Sequence, residues 1–260
     1  MVNGFERFVE CFKDYQDQFV IIGGYACTLH YFEKGVEFRH THDLDIVLII
    51  EDMRIEFYTT LWNYLSEGGY VTEAQTSTEH HYYRFETKDD TEYPKVIELL
   101  SRKSFELNRQ FRLHITPIHI DENIRSLSAI VLNDDYYHLI RENRVLVRGI
   151  SVLSLEFIVI LKIKAYLDLS ELRRKGIDIK SSNIRKHRSD VLKIVREMML
   201  IEIHDQLSST IKNDIQCFTQ MINDDIQANV NLGMRSIVVK SILKKIEHVF
   251  IGEEINNPHA

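Results

Sequence analysis

The apolar residues of this chain change their spacing near residue 150, and that change limits the folds open to it. After that point, apolar residues recur with the 3.6-residue period of an α-helix in four segments: 154–174, 183–203, 209–225 and 234–250. No strand pattern is recognised after Val147. The sequence therefore predicts a C-terminal helical bundle over residues 151–260.

The first 150 residues mix short apolar runs, which are typical of buried strands, with segments of helical spacing. Strands are predicted at 19–22, 44–50, 81–87, 95–100 and within 111–120, where Pro117 indicates an edge strand or a strand end. Helices are predicted at 5–15, 25–33 and 53–68. The predicted fold class is α+β, with a mixed-sheet domain over 1–150 followed by the helical bundle.

Composition excludes several classes of protein. The net charge is -7, whereas a protein that grips long nucleic acid by charge alone is usually basic. The three cysteines, Cys11, Cys27 and Cys217, show no CxxC spacing, which argues against a disulfide framework or a structural zinc site. No apolar run is long enough to span a bilayer, and the N-terminus lacks the apolar core of a signal peptide. We expect a cytoplasmic protein with no membrane partner.

The most informative stretch is residues 20–50, where a predicted strand ends at Gly23-Gly24 and a later strand begins with Asp43-Leu44-Asp45. In a strand, residues i and i+2 point to the same side, so Asp43 and Asp45 project together. Two such carboxylates can converge on one Mg²⁺ site of the kind that phosphoryl transfer uses. Glycines without Cβ atoms let the backbone approach a triphosphate at the positive end of the next helix.

Each half of this pattern has a structural explanation when taken alone. A glycine pair usually marks a turn, and an Asp-x-Asp sequence often ends a strand at a solvent edge. The combination is more specific, because Arg39 and Thr41 stand between the glycine pair and the aspartate pair in one continuous order. We therefore favour catalysis over either structural explanation.

The residues Gly23, Gly24, Arg39, Thr41, Asp43 and Asp45 resemble the pattern GG…R-x-T-x-D-x-D of AbiEii/AbiGii toxin-type nucleotidyltransferases, within the DNA polymerase β-like superfamily. The resemblance covers most of residues 18–200. It implies that the N-terminal domain is a nucleotidyltransferase domain in which Asp43 and Asp45 hold Mg²⁺ or Mn²⁺ and an NTP is the substrate. Gly23, Gly24, Arg39 and Thr41 would then contact the nucleotide.

The superfamily often has a third carboxylate on a neighbouring strand. The resemblance favours Glu98, within an IELL sequence, and Glu86 is the alternative. Either acid could equally face solvent on its strand. Arg84, on the same predicted strand as Glu86, is a candidate phosphate contact.

A second resemblance lies in residues 161–198, which look like the later motifs of the family. On that match Lys164 and Asp190 are carried over as catalytic residues, with Lys162 as a less favoured substitute for Lys164. Asp168 lies one helical turn after Lys164, on the same face. Residues 173–196 hold nine Lys or Arg against two acids, which suits a triphosphate, an RNA end or simply a solvated helix face.

The resulting hypothesis is a Mg²⁺-dependent enzyme that moves a nucleoside monophosphate from an NTP to a hydroxyl. The family resemblance implies a toxin of a toxin–antitoxin or abortive-infection system. Its acceptor would be an RNA end, such as that of tRNA, or a protein, and a cognate antitoxin would be a partner. The alternatives are a nucleotidyltransferase that modifies a small molecule of the antibiotic type, and an inactive module that binds a nucleotide or a partner.

Overall fold

The computed structural model describes residues 4–39, 41, 43–49, 51, 53–74, 82–88, 92–102, 115–117, 127, 129–199 and 201–253. The chain divides into two compact units, Met1–Ile158 and Val159–Ala260, which we call the sheet unit and the helical unit. The sequence-based boundary at 150/151 falls eight residues before this division and lies within the strand Ile150–Leu153. Within the described residues, no helix combines the length and the apolar character that a membrane crossing requires.

Four helices and eight strands of the sheet unit have defined bounds, and residues 127 and 129–132 are also helical. The helices are α1 (Phe5–Phe12), α2 (Gly23–Glu33), α3 (Ile55–Glu67) and α4 (Asp134–Glu142). The strands are β1 (Phe19–Ile21), β2 (Asp43–Leu48), β3 (Val71–Ala74), β4 (Tyr82–Glu86), β5 (Val96–Ser101), β6 (Ile115–Pro117), β7 (Arg144–Val147) and β8 (Ile150–Leu153).

All eight strands belong to one mixed sheet in the order β6-β3-β4-β5-β2-β1-β8-β7. The strand β2 lies inside the sheet, parallel to β5 and antiparallel to β1. The strand β4 runs antiparallel to β5 on its other side. Strand β6 forms one edge and ends at Pro117, as the proline predicted.

The core beside this sheet is rich in aromatic side chains because α1 and α3 both present apolar faces to it. Phe8 and Phe12 of α1 meet ring to ring at 4.5 Å, and Phe12 contacts Phe57 and Tyr64 of α3. All four rings are buried. This packing fixes the helices against β1, whose Phe19 also contacts Phe12, and so supports the strand that leads into α2.

The helical unit follows the predicted periodicity. Its helices are α5 (Leu155–Arg174), which begins before the division between the units, α6 (Ser181–Glu197), α7 (Ser209–Gln227) and α8 (Ser236–Ile246), with a 3-10 turn at His204–Gln206 and a π-helical end at Glu247–Ile251. Each of α6, α7 and α8 buries one apolar face, and α8 packs on both of the others. The α+β class with a mixed sheet followed by helices is confirmed.

Two local predictions were wrong. Strand β8 follows Val147, because Arg148 and Gly149 both adopt positive φ and turn the chain into a hairpin. The helix predicted over 183–203 ends at Glu197. The N-cap of α4 is Asn133, whose side chain accepts from two backbone amides. Parts of the predicted strands at 81–87 and 111–120 lie outside the described residues.

Candidate active site

Gly23 lies where β1 passes into α2, and both its backbone conformation and its close neighbours disfavour any other residue. Its φ is 72°, in the left-handed region that side chains disfavour. A Cβ added there would lie 1.9 Å from Oδ2 of Asp45. The backbone N–H of Ile22 also donates to the carbonyl oxygen of Asp45 at 2.9 Å. The carboxylate of Asp45 therefore rests against the first residue of a helix.

Gly24 gathers two more residues of the sequence pattern. A Cβ at Gly24 would meet Oγ1 of Thr41 at 3.1 Å and Nη2 of Arg39 at 3.2 Å. The side chains of Arg39 and Thr41 thus lie at the start of α2, whose first turn contains no acidic residue. The structure brings together five residues that are separated by up to 22 positions in the sequence: Gly23, Gly24, Arg39, Thr41 and Asp45.

A charged row crosses three strands of the sheet next to this point. Asp45 on β2 is in register with Glu98 on β5, and Glu98 is in register with Arg84 on β4. Residues in register on neighbouring strands point to the same face, so all three side chains share one side of the sheet. Asp43 follows the same face of β2 two residues earlier, and the buried Leu44 points away.

The register distinguishes the two candidates for a third carboxylate. Glu98 stands directly beside Asp45, and only 7% of its side chain is exposed. Glu86 occupies the same face of β4 but is in register with Val96, which separates it from Asp43 in that row, and it is exposed. The geometry therefore favours Glu98.

Arg84 connects the two ends of the acidic group. Its guanidinium forms a close ion pair with Glu98, and its Nη2 lies 3.9 Å from Oδ1 of Asp43. Burial alone would lower the pKa of Arg84, but the carboxylates of Glu98 and Asp43 outweigh it and raise the pKa. Arg84 therefore stays positively charged among the carboxylates that were predicted to hold a metal.

Tyr82, two residues before Arg84 on the same face, adds a buried hydroxyl that the sequence did not reveal. Its ring is almost fully buried, and its hydroxyl lacks a well-formed hydrogen bond. Burial raises the pKa of Tyr82, and the neighbouring charge of Glu98 raises it further. The phenol therefore stays neutral beside Glu98 and remains a potential donor to it.

The donor atoms of this site suit a hard divalent cation. Mg²⁺ and Mn²⁺ prefer carboxylate oxygens, and Asp43, Asp45 and Glu98 supply them from one face of two adjacent strands. Among the described residues, however, no three His, Cys, Asp or Glu side chains already converge as a closed metal cluster. Glu98 instead pairs with Arg84 of β4. The residues fit the cation by the chemistry of their donor atoms, although they are not arranged around one.

The candidate residues of the helical unit are held in ion pairs of their own. Asp190 on α6 is buried and accepts from Nζ of Lys162 at 2.7 Å. Lys164 lies 2.9 Å from Asp168, as the helical spacing predicted, and 3.6 Å from Asp214 on α7. Burial acts to lower the pKa of Lys164, but these two carboxylates raise it overall. Catalytic roles for Lys164 and Asp190 stay predictions.

The basic segment 173–196 is only partly a free surface. Arg188 is buried and pairs with Asp225 at 3.2 Å, so it stabilises the packing of α6. Lys175 pairs with Glu171 at 2.9 Å, and Arg173 donates to Ser181. The exposed cations cluster at the turn before α6 and in its first half.

No family model matches this chain, and no curated protein matches it. Among solved structures, the chain is similar to an antigenic nucleotidyltransferase-like protein from Paracoccidioides brasiliensis, with 17% sequence identity and a TM-score of 0.43 over 86% of this chain and 91% of that one. A similarity of this size transfers neither a family nor a residue role to this chain. The resemblance to AbiEii/AbiGii toxins therefore stays a prediction.

Proposed function

We propose that this protein is a metal-dependent nucleotidyltransferase whose active centre lies at the start of β2. The observation that carries the proposal is the contact between Gly23 and the carboxylate of Asp45. It places a glycine-led helix start, which suits a phosphate chain, against an acidic residue that suits a cation. Those two functions must adjoin in any enzyme that acts on a metal-bound triphosphate.

The triphosphate would bind at the start of α2. The first amide groups of a helix lack partners within the helix and carry partial positive charge, so they attract anions. Gly23 and Gly24 keep this backbone open to a phosphate, since neither has a Cβ. Arg39 and Thr41, which lie beside Gly24, add a guanidinium and a hydroxyl to the same place.

The carboxylates would serve the other side of the nucleotide. Asp43, Asp45 and Glu98 are the residues that would hold Mg²⁺ or Mn²⁺, and the cation would neutralise charge on the phosphates when bound. The protein itself would position the α-phosphate opposite an acceptor hydroxyl. A bond then forms between the acceptor oxygen and the α-phosphorus, the bond to pyrophosphate breaks, and the hydroxyl proton is released.

The acceptor and the biological role are further steps of the proposal. An RNA end or a protein hydroxyl as the acceptor, and toxicity controlled by an antitoxin, are implied only by the resemblance in residues 20–50 and 161–198. The exposed cations before and within the first half of α6 are compatible with a polyanionic acceptor. They make RNA the first acceptor to test.

The experiment incubates the purified protein with each labelled NTP, Mg²⁺ or Mn²⁺, and total cellular RNA. We expect label in RNA, and we expect Asp45→Asn to lower the rate at least about a hundredfold, as the loss of one stabilising group in such a site does. Asp17→Asn, which removes an exposed acid of the sheet unit that pairs with Arg54 at 2.7 Å, is the matched control.

Two further variants decide the third carboxylate. Glu98→Gln should reduce transfer strongly, whereas Glu86→Gln should not. Label on the protein or on a small molecule instead of RNA would keep the enzyme and change its acceptor. An absence of transfer to all acceptors, together with no Mg²⁺-dependent NTP binding by calorimetry, would contradict the proposal.

A further inference from the structure

Arg84 contacts acids that we propose as metal ligands. It makes a close ion pair with Glu98 and lies 3.9 Å from Asp43. These are two of the three acids that we propose as metal ligands. The third, Asp45, is in register beside Glu98 on the adjacent strand. One guanidinium therefore bridges most of the proposed ligand set.

The side chain of Arg84 is held by its ion pair with Glu98, yet it is also partly exposed to solvent. Three quarters of it is covered, and its partner Glu98 is buried, so the pair is partly shielded from water. The remaining 25% is exposed, as is 46% of Asp43, so the guanidinium has a way to solvent on the Asp43 side. An arginine side chain has four rotatable bonds and can reach a new partner without moving the strand.

A guanidinium and a divalent cation compete for the same carboxylate oxygens. An oxygen that accepts a short charged hydrogen bond presents less electron density to a metal, and two cations a few ångströms apart repel each other. The Oε1 atom of Glu98 that accepts from Arg84 is not available to a cation while that bond persists.

We infer that Arg84 is an internal counter-cation that holds Asp43 and Glu98 until a divalent metal displaces it; this inference rests on the proposed function. Once displaced, the guanidinium needs a new anion, and the phosphates of the bound NTP supply one. Arg84 then couples metal binding to nucleotide binding, because the metal releases its guanidinium and the phosphates of the nucleotide bind it. By thermodynamic reciprocity, the nucleotide raises the affinity for the metal by the same factor as the metal raises the affinity for the nucleotide.

The buried hydroxyl of Tyr82 supports such a rearrangement. It interacts with both Glu98 and Arg84, although it forms no hydrogen bond of good geometry with either. A buried hydroxyl of this kind is stabilised when a partner turns toward it. When Glu98 turns from Arg84 toward a cation, its second oxygen becomes available to this donor.

The test measures Mn²⁺ binding by the loss of the free-ion signal in electron paramagnetic resonance, without any turnover. In the absence of nucleotide, Arg84→Gln should bind Mn²⁺ at least about tenfold more tightly than the wild type, because the competing charge is gone. Arg84→Lys, which keeps the charge, should bind close to the wild type. Arg54→Gln, which breaks the exposed pair with Asp17, should change nothing.

The coupling is tested with the non-hydrolysable nucleotide α,β-methylene ATP. In the wild type this nucleotide should tighten Mn²⁺ binding beyond the ordinary contribution of its phosphates. In Arg84→Gln the enhancement should shrink several-fold, because no guanidinium remains to be transferred to the phosphates. An undiminished enhancement in Arg84→Gln would contradict the transfer of Arg84 to the nucleotide.

A measurement on the wild-type protein covers the case in which Arg84→Gln does not fold. The side-chain Nε–H signal of Arg84, assigned by its absence in Arg84→Lys, should shift when Mg²⁺ is added, since the guanidinium loses Glu98. An unshifted signal at saturating Mg²⁺ would overturn the inference.

The failures of the inference and of the proposed function are distinguishable. Equal Mn²⁺ affinity in the wild type and Arg84→Gln, with binding that Asp45→Asn abolishes, would reject the role of Arg84 and leave the metal site in place. Mn²⁺ binding that never depends on Asp45 would reject the metal site, and the inference with it.

Discussion

The sheet unit and the helical unit each contain a carboxylate paired with a cation, yet the two pairs are built differently. On α5 and α6, Lys162 and Asp190 are 2.7 Å apart and only 5% and 6% exposed. On the sheet, Arg84 spans from the buried Glu98 to Asp43, which is 46% exposed and 3.9 Å away. The first pair is closed to solvent and matched one to one. The second is shared between two carboxylates and is partly open to solvent at Asp43.

This difference helps to distinguish a charged residue that stabilises the fold from one that can bind a ligand. A sealed pair has already lost its hydration, so removing one partner leaves an uncompensated buried charge and destabilises the fold. An open group keeps part of its hydration, so its members can exchange partners at small cost to the fold. By this criterion the paired state of Asp190 is typical of a structural residue, whereas the half-exposed Asp43 is able to exchange its partner, as the proposed function requires.

The largest expected effect comes from breaking the sealed pair. Lys162→Met should lower the free energy of unfolding of the helical unit by about 3–5 kcal/mol, because the carboxylate of Asp190 stays buried without its cation. Amide hydrogen exchange in α5 and α6 measures the change. Lys164→Met, which breaks a partly exposed pair, is the matched control and should cost about 1 kcal/mol or less.

The double variant Lys162→Met/Asp190→Leu should recover most of the stability lost in Lys162→Met, because it leaves no buried charge. Equal losses for Lys162→Met and Lys164→Met would contradict the view that the closed pair of Lys162 and Asp190 is especially costly to break.

The next largest effect on the free energy of unfolding is expected at the contact between Gly23 and Asp45. Gly23→Ala should cost more than Gly35→Ala, although both glycines have positive φ. A Cβ at Gly35 meets nothing within 4 Å, so that variant pays only backbone strain of about 1–2 kcal/mol. A Cβ at Gly23 must also push Asp45 aside, which adds about 1–3 kcal/mol. Denaturation followed by the fluorescence of Trp62, the single tryptophan and a residue of α3, reports this unit. Equal losses would mean that Asp45 moves away freely.

A smaller effect on the free energy of unfolding should appear when the pH changes, and it comes from His30 on α2. Burial lowers the pKa of His30 on α2, and its Nε2–H donates to the carbonyl oxygen of Leu153 at 2.8 Å. As pH falls below the ordinary value of 6.5, the unfolded chain takes up a proton that folded His30 still refuses. The free energy of unfolding therefore falls until the lowered pKa of the folded state is passed.

His30→Gln keeps a donor at that position and does not titrate. Its stability should therefore fall less than that of the wild type between pH 7 and pH 5, in the same Trp62 fluorescence assay. Parallel pH profiles for the two proteins would show that His30 is not the group responsible.

The smallest effect is expected at the open end of the site. Asp43→Asn should change the free energy of unfolding by no more than about 0.5 kcal/mol, because an exposed pair at 3.9 Å contributes little. The same variant should strongly reduce Mn²⁺ binding. A loss of stability comparable to that of Lys162→Met would mean that Asp43 stabilises the fold. The distinction between the closed pair on α5 and α6 and the open group on the sheet would then be wrong.

The sequence allowed the local part of this site to be predicted. Alternation along a strand was enough to place Asp43 and Asp45 on one face, and the glycine pair was enough to expect a backbone open to a ligand at the start of α2. Both are properties of neighbouring residues. The contact between Gly23 and Asp45 follows from the strand order β1-β2, which a hydrophobic pattern does not reveal.

The missed features depend on pairing between distant segments. The bridge from Arg84 to Glu98 and Asp43 requires the register of β4 against β5 and of β5 against β2. Helical spacing alone could not decide whether Lys162 or Lys164 faces Asp190 on another helix. Strand β8 was missed because its four buried residues read continuously into the apolar start of α5.

The register of β2 against β5 also makes the site an all-or-none property of each molecule. A slip of one residue would turn Glu98 to the opposite face from Asp45, since side chains alternate with a period of two. A molecule mispaired in this way would lack the acidic row altogether. The number of Mn²⁺ ions bound per chain, rather than their affinity, would then count the correctly paired sheets in a preparation.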